Sequence, residues 1–491
     1  MGALDFIKEI EGKNFIDGQY EKGTGKLTPV IDPATESLIG TCREPNSEAI
    51  ERAVGIANES QQEWWALGAL ERAEALHEVS RKMKQLAPTI GEAMSREMGK
   101  PYREALWEPD TAANAFNYYA ELAKHDAGNI AGSGFAGQMN FTLKEPLGVA
   151  VCIVSYNFPI LLLAWKVAAA LAAGNAVIIK PSDLASFTTL IAMKAFDHLP
   201  NGLVQALTGG PLLGKMLVEH TQTHAVAFTG SGINGKLVAQ ACAAQFKPAF
   251  IEASGNDPFI VMPSAPIELA AQGVAYAAFL NCGQVCTSAE RIFVHESIHD
   301  KFVERLADIT KNLRIGRGLG LVDLGPLAAR RGRDHYELLL GRAINAGAQV
   351  LAGGGRPQGQ DRGWFVDATV LTDVTPDMEI VNTEPFGPVA PIIKIQNLDE
   401  AISLANDSKS RLDANIFTHE LPEAIRAINE IAAGIVRVNT PLSPGVGREL
   451  SIEGLEQFRQ SKMAIFASEI KSNDEEWFPY QDDTSFTGAL D

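Results

Sequence analysis

The sequence predicts an α/β protein with two units built on parallel sheets, and three observations carry that reading. First, runs of near-continuous Val, Ile and Ala alternate with amphipathic runs from Val149 to Met262. Strands that are apolar at every position are buried on both faces, as in a parallel sheet covered by helices. Second, the alternation starts afresh after Pro258 and continues to about Val438. Third, 491 residues with 46% hydrophobic and 21% charged side chains are ordinary globular composition, long enough for two or three packed domains.

The elements follow in order. From Ser47 to about Lys124 the chain reads as helix, with apolar residues at three-to-four spacing behind an approximate capping box at Ser47 and Glu51. A Gly-rich segment, "DAGNIAGSGFAGQ", precedes "MNFTLKEP", which alternates like an exposed strand. Then "GVAVCIVS", "NAVIIKPS", "GLVQALTG" and "HAVAFTG" read as strands. The segments "ILLLAWKVAAALAAG", "ASFTTLIAMKAFDHL", "PLLGKMLVEH" and "INGKLVAQACAAQ" read as the helices between and after them, and "PAFIEAS" and "DPFIVM" close the run. Sheets of this kind take nucleotides at the carboxyl ends of their strands. After Pro258 come an Ala-rich helix from Ile267 to Leu280, the stretch "FLNCGQVCTSAER", the strand "RIFVH" and a helix over 298–313.

Composition excludes several classes of function. A net charge of −18 and a pI near 5.0 argue against nucleic acid or an anionic membrane as the main partner. Five cysteines in so long a chain are no disulfide framework and point to a reducing compartment. "MGALDFIKEIEGKNF" lacks the apolar core of a signal peptide, and Phe6 stands where a myristoylation signal wants Ser or Thr. The longest apolar run is broken by Lys166 and too short for a bilayer. The expected location is the cytoplasm.

Three motifs invite chemistry. "HESIH", His295 to His299, matches the H-E-x-x-H zinc pattern. That pattern needs both histidines one turn apart on a helix, whereas His295 ends a strand and Ser297 reads as the cap of a helix beginning at Ile298, so no metal site is expected. "GSGING", Gly230 to Gly235, follows a strand and opens a helix, which offers free N–H groups to a phosphate. In the usual reading of that motif an acid about twenty residues on, here Glu252, contacts a ribose; catalysis is the rival use for Glu252. Cys282 and Cys286 lack a second Cys/His pair for metal. Taken by themselves they read first as small core residues, with a reactive thiol at Cys286 as the alternative.

Taken together, "EPLGVAVCIVSYNFP", "VIIKPSD", "FTGSG", "IEASGNDPF", "FLNCGQVCTSAER" and "EPFGPV", in that order, closely resemble the aldehyde dehydrogenase superfamily from about Phe15 to Phe466. The resemblance implies a Rossmann-like cofactor domain (1–125 and 147–254), an α/β catalytic domain (255–445) and a small β bridging or oligomerisation element with a C-terminal tail (126–146 and 446–491). It implies an enzyme of the hydrolytic type that turns a small-molecule aldehyde into a free acid with NAD, NADP being possible. It further implies a homodimer or homotetramer in which the bridge, with a strand near 463–470, pairs across subunits.

By the same resemblance Cys286 is the nucleophile and Cys282 a bystander. Asn157 and the Cys286 N–H hold the oxyanion, and Glu252 is the base that activates the deacylating water. Glu449, in "GREL", matches a second family carboxylate, with a surface pair to Arg448 as the alternative. Lys180 and Asp183 match the residues on the adenosine ribose, and the Asp183 carboxylate favours NAD over NADP. Gly230 and Ser231 fall at the pyrophosphate, Glu384 at the nicotinamide ribose, and Ser155, Tyr156 and Phe386 beside the cofactor. Phe158, Leu161, Trp165, Val285 and Thr287 line the substrate pocket. The chain departs from the family at Tyr156, where Trp is commoner, and at "EASG", where "ELGG" is commoner. It also has only seven residues between Asn439 and Gly447, where relatives carry some twenty, which implies a more open tunnel. A CoA-acylating enzyme and a catalytically silent relative are the alternatives. The aromatic-tipped tail beyond Ser472, with Trp477, Phe478 and Tyr480, either docks on a partner subunit, adding to its interface or covering its tunnel, or stays loose.

Overall fold

All five residues of Val149–Ile153 are apolar, and such a segment is stable only as a strand covered on both faces. In the computed structural model of the chain, which describes residues 2–125, 128–132, 137–442, 449–469 and 478, it lies at the centre of the five parallel strands of a seven-stranded sheet. It pairs in parallel with Ala176–Lys180 on one side and Ala225–Thr229 on the other. Val204–Ala206 and Ala249–Glu252 extend the parallel part outward. The chain thus leaves the central strand towards one side, then returns to build the other. That reversal opens a crevice at the carboxyl ends of Val149–Ile153 and Ala225–Thr229, where ligands bind such sheets.

The sheet ends in an antiparallel pair, Lys13–Ile16 and Gln19–Lys22, that the apolar pattern does not announce. Its signal is the dipeptide Asp17-Gly18, with φ of 51° and 73°, the two-residue turn a tight hairpin demands. The helices Ser47–Ala66, Ala69–Met98 and Tyr102–Lys124 bury Trp64, Met83, Phe116 and Tyr119 within this half. Asn46, rather than Ser47, caps the first of them, its side chain accepting from Ala49 N at 2.9 Å.

Helix Pro159–Ala172 is apolar almost all round and is buried accordingly. It stops at Gly174, whose φ of 95° suits glycine and where a Cβ would lie 2.4 Å from the Trp65 ring. The segment "ASFTTLIAMKAFDHL" makes a helix only over Ser186–Ala192, then tightens to a 3₁₀ turn over Met193–Phe196.

A second seven-stranded sheet follows the order 349–352, 369–372, 389–395, 289–295, 257–261, 413–417 and 435–438. All its pairings are parallel except the outermost, between Gln349–Ala352 and Thr369–Thr372. The strand Asp257–Val261 belongs to this sheet and so opens the second unit instead of closing the first. Helix His299–Lys311 begins one residue later than expected, and Ser297 does not cap it; the Ser297 hydroxyl instead meets His295 Nδ1 at 2.9 Å. His295 therefore ends a strand and His299 starts a helix.

Gln138–Pro146 pairs antiparallel with Arg459–Ala467 along its whole length, and Ile130–Ala131 adds a short third strand. The shortened loop after Leu442, through Arg448, and the tail apart from Phe478 lie outside the described residues. Among the described residues no helix is long and apolar enough to cross a membrane.

Candidate active site

Three loops at the carboxyl edge of the first sheet carry most of the nucleotide candidates. Ile153 leads through Ser155 and Tyr156 to the buried Asn157, and Pro159 then starts a helix at the position proline favours. Lys180 ends its strand almost wholly buried, which pushes its ammonium below the usual lysine range, and it stands 3.6 Å from Asp183 Oδ1. Thr229 leads to Gly230 and to Ser231, the N-cap of helix Gly232–Ala243, whose hydroxyl accepts from Asn234 N at 3.5 Å. Gly230 N donates to Glu252 O at 3.2 Å, so this turn is tied to the neighbouring strand that carries Glu252.

The second sheet supplies the opposite wall from the amino ends of its strands. Before Cys286, three consecutive residues turn left-handed: Asn281 at φ 51°, Cys282 at 57° and Gly283 at 72°. For the two that carry a Cβ this costs about 1–3 kcal/mol each and persists only where the surroundings enforce it. Here they do. Asn281 N donates to Glu104 Oε2 at 3.0 Å, and Asn281 Nδ2 donates to Asn157 O at 3.0 Å and Gln284 O at 3.1 Å. Gln284 answers with Nε2 to Asn281 O at 3.0 Å, and its Oε1 accepts from Ala328 N at 3.0 Å. Asn157 Nδ2 donates to Gln284 O at 3.1 Å, joining the two walls two residues before Cys286. The chain after Glu252 passes so close that a Cβ on Gly255 would stand 1.8 Å from Cys286 O, so the glycine of "EASG" is required there.

The electrostatics are those of a buried, acidic chamber. Burial, together with the Glu252, Asp257 and Glu384 carboxyls, pushes the Cys286 thiol well above its ordinary value. Burial and the Glu449 carboxyl raise Glu252 to about 7, against the opposing pull of Lys166, the Thr229 hydroxyl and Cys286. Both Glu252 oxygens are buried and lack a partner of hydrogen-bond geometry among the described residues. Glu384 is raised to about 7, chiefly by burial. A carboxylic acid held near neutrality and left without a partner is poised to exchange a proton.

The remaining candidates fall around this chamber. Glu449 pairs with Lys166 Nζ at 2.5 Å rather than standing on the open surface. Phe386, left-handed at φ 46°, sets its ring edge-on to Tyr156 with centroids 6.1 Å apart, which brings the two walls together again. Leu161 and Trp165 lie one turn apart on helix Pro159–Ala172, and Phe158 immediately precedes it. Leu161 and Val285 are buried, while Trp165 and Thr287 are half-buried. The Trp165 Nε1–H is buried without a partner among the described residues.

Several groups were not evident from sequence. Glu290 accepts from Asn256 Nδ2 at 3.2 Å and from Phe386 N at 3.4 Å. Asp257 is buried with neither carboxyl oxygen partnered among the described residues. Lys100, Glu104 and Glu108 sit at spacing four, a pattern that reads as a solvated helix face but here leaves Lys100 and Glu108 buried.

The first wall fits a dinucleotide. Lys180 and Asp183, 3.6 Å apart, set an ammonium donor beside a carboxylate acceptor, a pair that suits the neighbouring hydroxyls of a ribose. The exposed start of helix Gly232–Ala243 offers N–H groups to a pyrophosphate.

Comparison with known proteins agrees. The aldehyde dehydrogenase family profile matches residues 20–463. The chain is 35% identical to the α-ketoglutaric semialdehyde dehydrogenase of Bacillus subtilis, over 90% of this chain and 92% of that protein. It is also 35% identical to a betaine aldehyde dehydrogenase of Brucella anthropi, over 92% and 96%. A crystal structure of betaine aldehyde dehydrogenase from Staphylococcus aureus in complex with NAD+ superposes with a TM-score of 0.92 at 29% identity, covering 97% of this chain and 98% of that one. A 3,6-anhydro-L-galactose dehydrogenase in complex with NADP superposes with a TM-score of 0.88 at 32% identity, covering 93% and 99%. The chain therefore belongs to the aldehyde dehydrogenase family, whose members oxidise aldehydes with NAD(P).

Proposed function

We propose that this chain oxidises a small-molecule aldehyde to the free carboxylic acid through a thioester on Cys286, with NAD as hydride acceptor. The observation that carries the reading is the buried, near-neutral Glu252 carboxyl beside the Cys286 thiol, its oxygens without a partner of hydrogen-bond geometry among the described residues. Cys286 gives up its thiol proton to solvent as its sulfur attacks the carbonyl carbon, and the Asn157 amide with the Cys286 N–H takes the oxyanion. Bound NAD supplies the hydride acceptor and a positively charged ring, the charge that the carboxyls around Cys286 leave uncompensated. Loss of hydride leaves a thioester. Glu252 then takes a proton from water as its oxygen attacks that carbon, and the Cys286 sulfur leaves. Glu449 and Lys166 pass the proton on from Glu252.

Lys180 and Asp183 would hold the adenosine ribose, Gly230 and Ser231 the pyrophosphate, and Glu384 the nicotinamide ribose. Ser155, Tyr156 and Phe386 would flank the ring. Phe158, Leu161, Trp165, Val285 and Thr287 suit an aldehyde with a compact apolar body, and the Trp165 N–H, without a partner among the described residues, suits an acceptor on it.

We infer a division into a cofactor domain, a catalytic domain and a bridge, and the three main sheets support it. A three-stranded sheet exposing Met139, Leu143, Met463, Ile465 and Phe466 supports a homodimer or homotetramer. The surface charge supports a cytoplasmic enzyme.

The test is formation of reduced nicotinamide from NAD or NADP across aliphatic, aromatic and amino aldehydes, with product analysis in the presence of CoA. Free acid from wild type and none from Cys286→Ala is expected. An acyl-CoA product would make it the acylating type. NAD binding without turnover of any aldehyde would sink the proposal.

A further inference from the structure

We propose that Lys100, Glu104 and Glu108 are positioning residues for the oxyanion site, forming a charge ladder that fixes Asn157 from two directions; this rests on the function proposed above. Lys100 Nζ and Glu108 Oε2 stand 2.6 Å apart with both side chains 0% exposed. The other oxygen of Glu108 accepts from Ile160 N at 2.8 Å and Leu161 N at 3.0 Å. Glu108 therefore caps, from another helix, the turn that begins right after Asn157. Lys100 Nζ also lies 3.8 Å from the centroid of the Phe158 ring, the residue next to Asn157.

Glu104 works from the other side. It holds the left-handed Asn281 through its N–H at 3.0 Å, and Asn281 Nδ2 in turn donates to Asn157 O at 3.0 Å. Glu104 and Glu108 are one helical turn apart on Tyr102–Lys124, so a single rigid element holds both the Asn157 turn and the loop that carries Cys286. The ladder is itself seated against the second unit. Tyr102 N donates to Gly318 O at 2.8 Å, and a Cβ on Gly318 would lie 2.4 Å from Lys100 O.

A helix needs no buried ion pair for its cap, because an uncharged Ser or Asn serves. Burying a lysine and a glutamate is expensive. What the charges add is strength and direction in those hydrogen bonds, and a misplacement of about 1 Å at such a site costs on the order of 10² in rate. The ladder therefore acts on catalysis through Asn157 and not on cofactor affinity.

The experiment is a pair of double-mutant cycles on the full-length enzyme: Glu108→Gln and Glu104→Gln, each alone and combined with Asn157→Ala. The readouts are kcat, KM and the Kd for NAD. Each single variant is expected to lower kcat by about tenfold or more while Kd for NAD stays within about twofold. In the Asn157→Ala background the same substitution should cost less than about twofold more, because residues that act through one group are not additive. Equal losses in both backgrounds, or a kcat loss matched by weaker NAD binding, would overturn the ladder and leave the proposed function standing. A wild type that binds NAD and turns over no aldehyde would overturn both. Should Glu108→Gln fail to fold, the partly exposed Glu104→Gln carries the same comparison.

Discussion

The nucleotide cradle and the Cys286 chamber lie on facing walls of one crevice, yet they are built on opposite physical terms. In the cradle the chain is relaxed. Its turns use Gly230 and Pro181, Lys180 stands near its carboxylate, and a helix start faces outward. In the chamber two non-glycine residues before Cys286 are left-handed, Phe386 is a third, and the Glu252 and Asp257 carboxyls are buried without hydrogen-bond partners among the described residues. Recognition of a large polar ligand needs donors already in place, which costs the fold little. Proton and acyl transfer need groups held away from their comfortable state, and that cost is met by the packing around them.

Breaking the chamber should have the largest effects. Cys286→Ala is expected to lower turnover by at least roughly 10⁴-fold, while calorimetry finds NAD binding within about twofold of wild type. Residual turnover within tenfold of wild type would place the nucleophile elsewhere.

Glu252→Gln should remove on the order of 10²–10⁴ of the steady-state rate. Because Glu252 is raised to about 7, wild-type kcat should climb with pH up to that value, as the carboxyl loses its proton and becomes a base. The variant should lose that limb. The same raised value has a consequence for stability. A carboxyl near 7 in the folded state, against about 4.5 unfolded, contributes its stability below pH 4.5 and loses it as pH rises through 7. Glu252→Gln should therefore melt higher than wild type at pH 8, with less of that advantage at pH 5; the reverse order would refute the buried, near-neutral carboxyl.

Asn157→Ala should cost on the order of 10²–10³ in kcat, read with saturating aldehyde and NAD. In the cradle, Asp183→Ala should act on the cofactor alone, raising KM for NAD by about tenfold through one lost charge-assisted bond and narrowing the preference over NADP. The smallest effect belongs to Cys282→Ala, which keeps turnover within about threefold if that cysteine is a buried bystander.

The contrast between the walls also explains what the sequence made legible. Elements whose residues are apolar on every face, such as Val149–Ile153, Ala176–Lys180 and Pro159–Ala172, announce themselves, and the crevice follows from their order. The site followed from motif resemblance, since local pattern alone left Cys286 as a small core residue. What escaped was non-local. Glu104 meets Asn281 N across 177 positions, and nothing near either residue signals the contact. Lys100, Glu104 and Glu108 carry the spacing of a solvated face, and burial reverses its meaning. Glu290 sits at an ordinary strand position, and only folding sets its carboxyl against the Phe386 N–H. Asn46 and Ser297 were near misses of one residue, the usual error at helix ends.

If a Cys286 thioester is hydrolysed with Glu252 as base, removing that base should trap the acyl-enzyme. Glu252→Gln would be mixed with NAD and a good aldehyde, following reduced nicotinamide in a stopped-flow instrument and the protein by intact mass and peptide mapping. The expected result is a burst of about one reduced nicotinamide per chain, little turnover after it, and an acyl group mapped to Cys286. Steady turnover at the wild-type rate, or an acyl group on any other residue, would contradict the assignment.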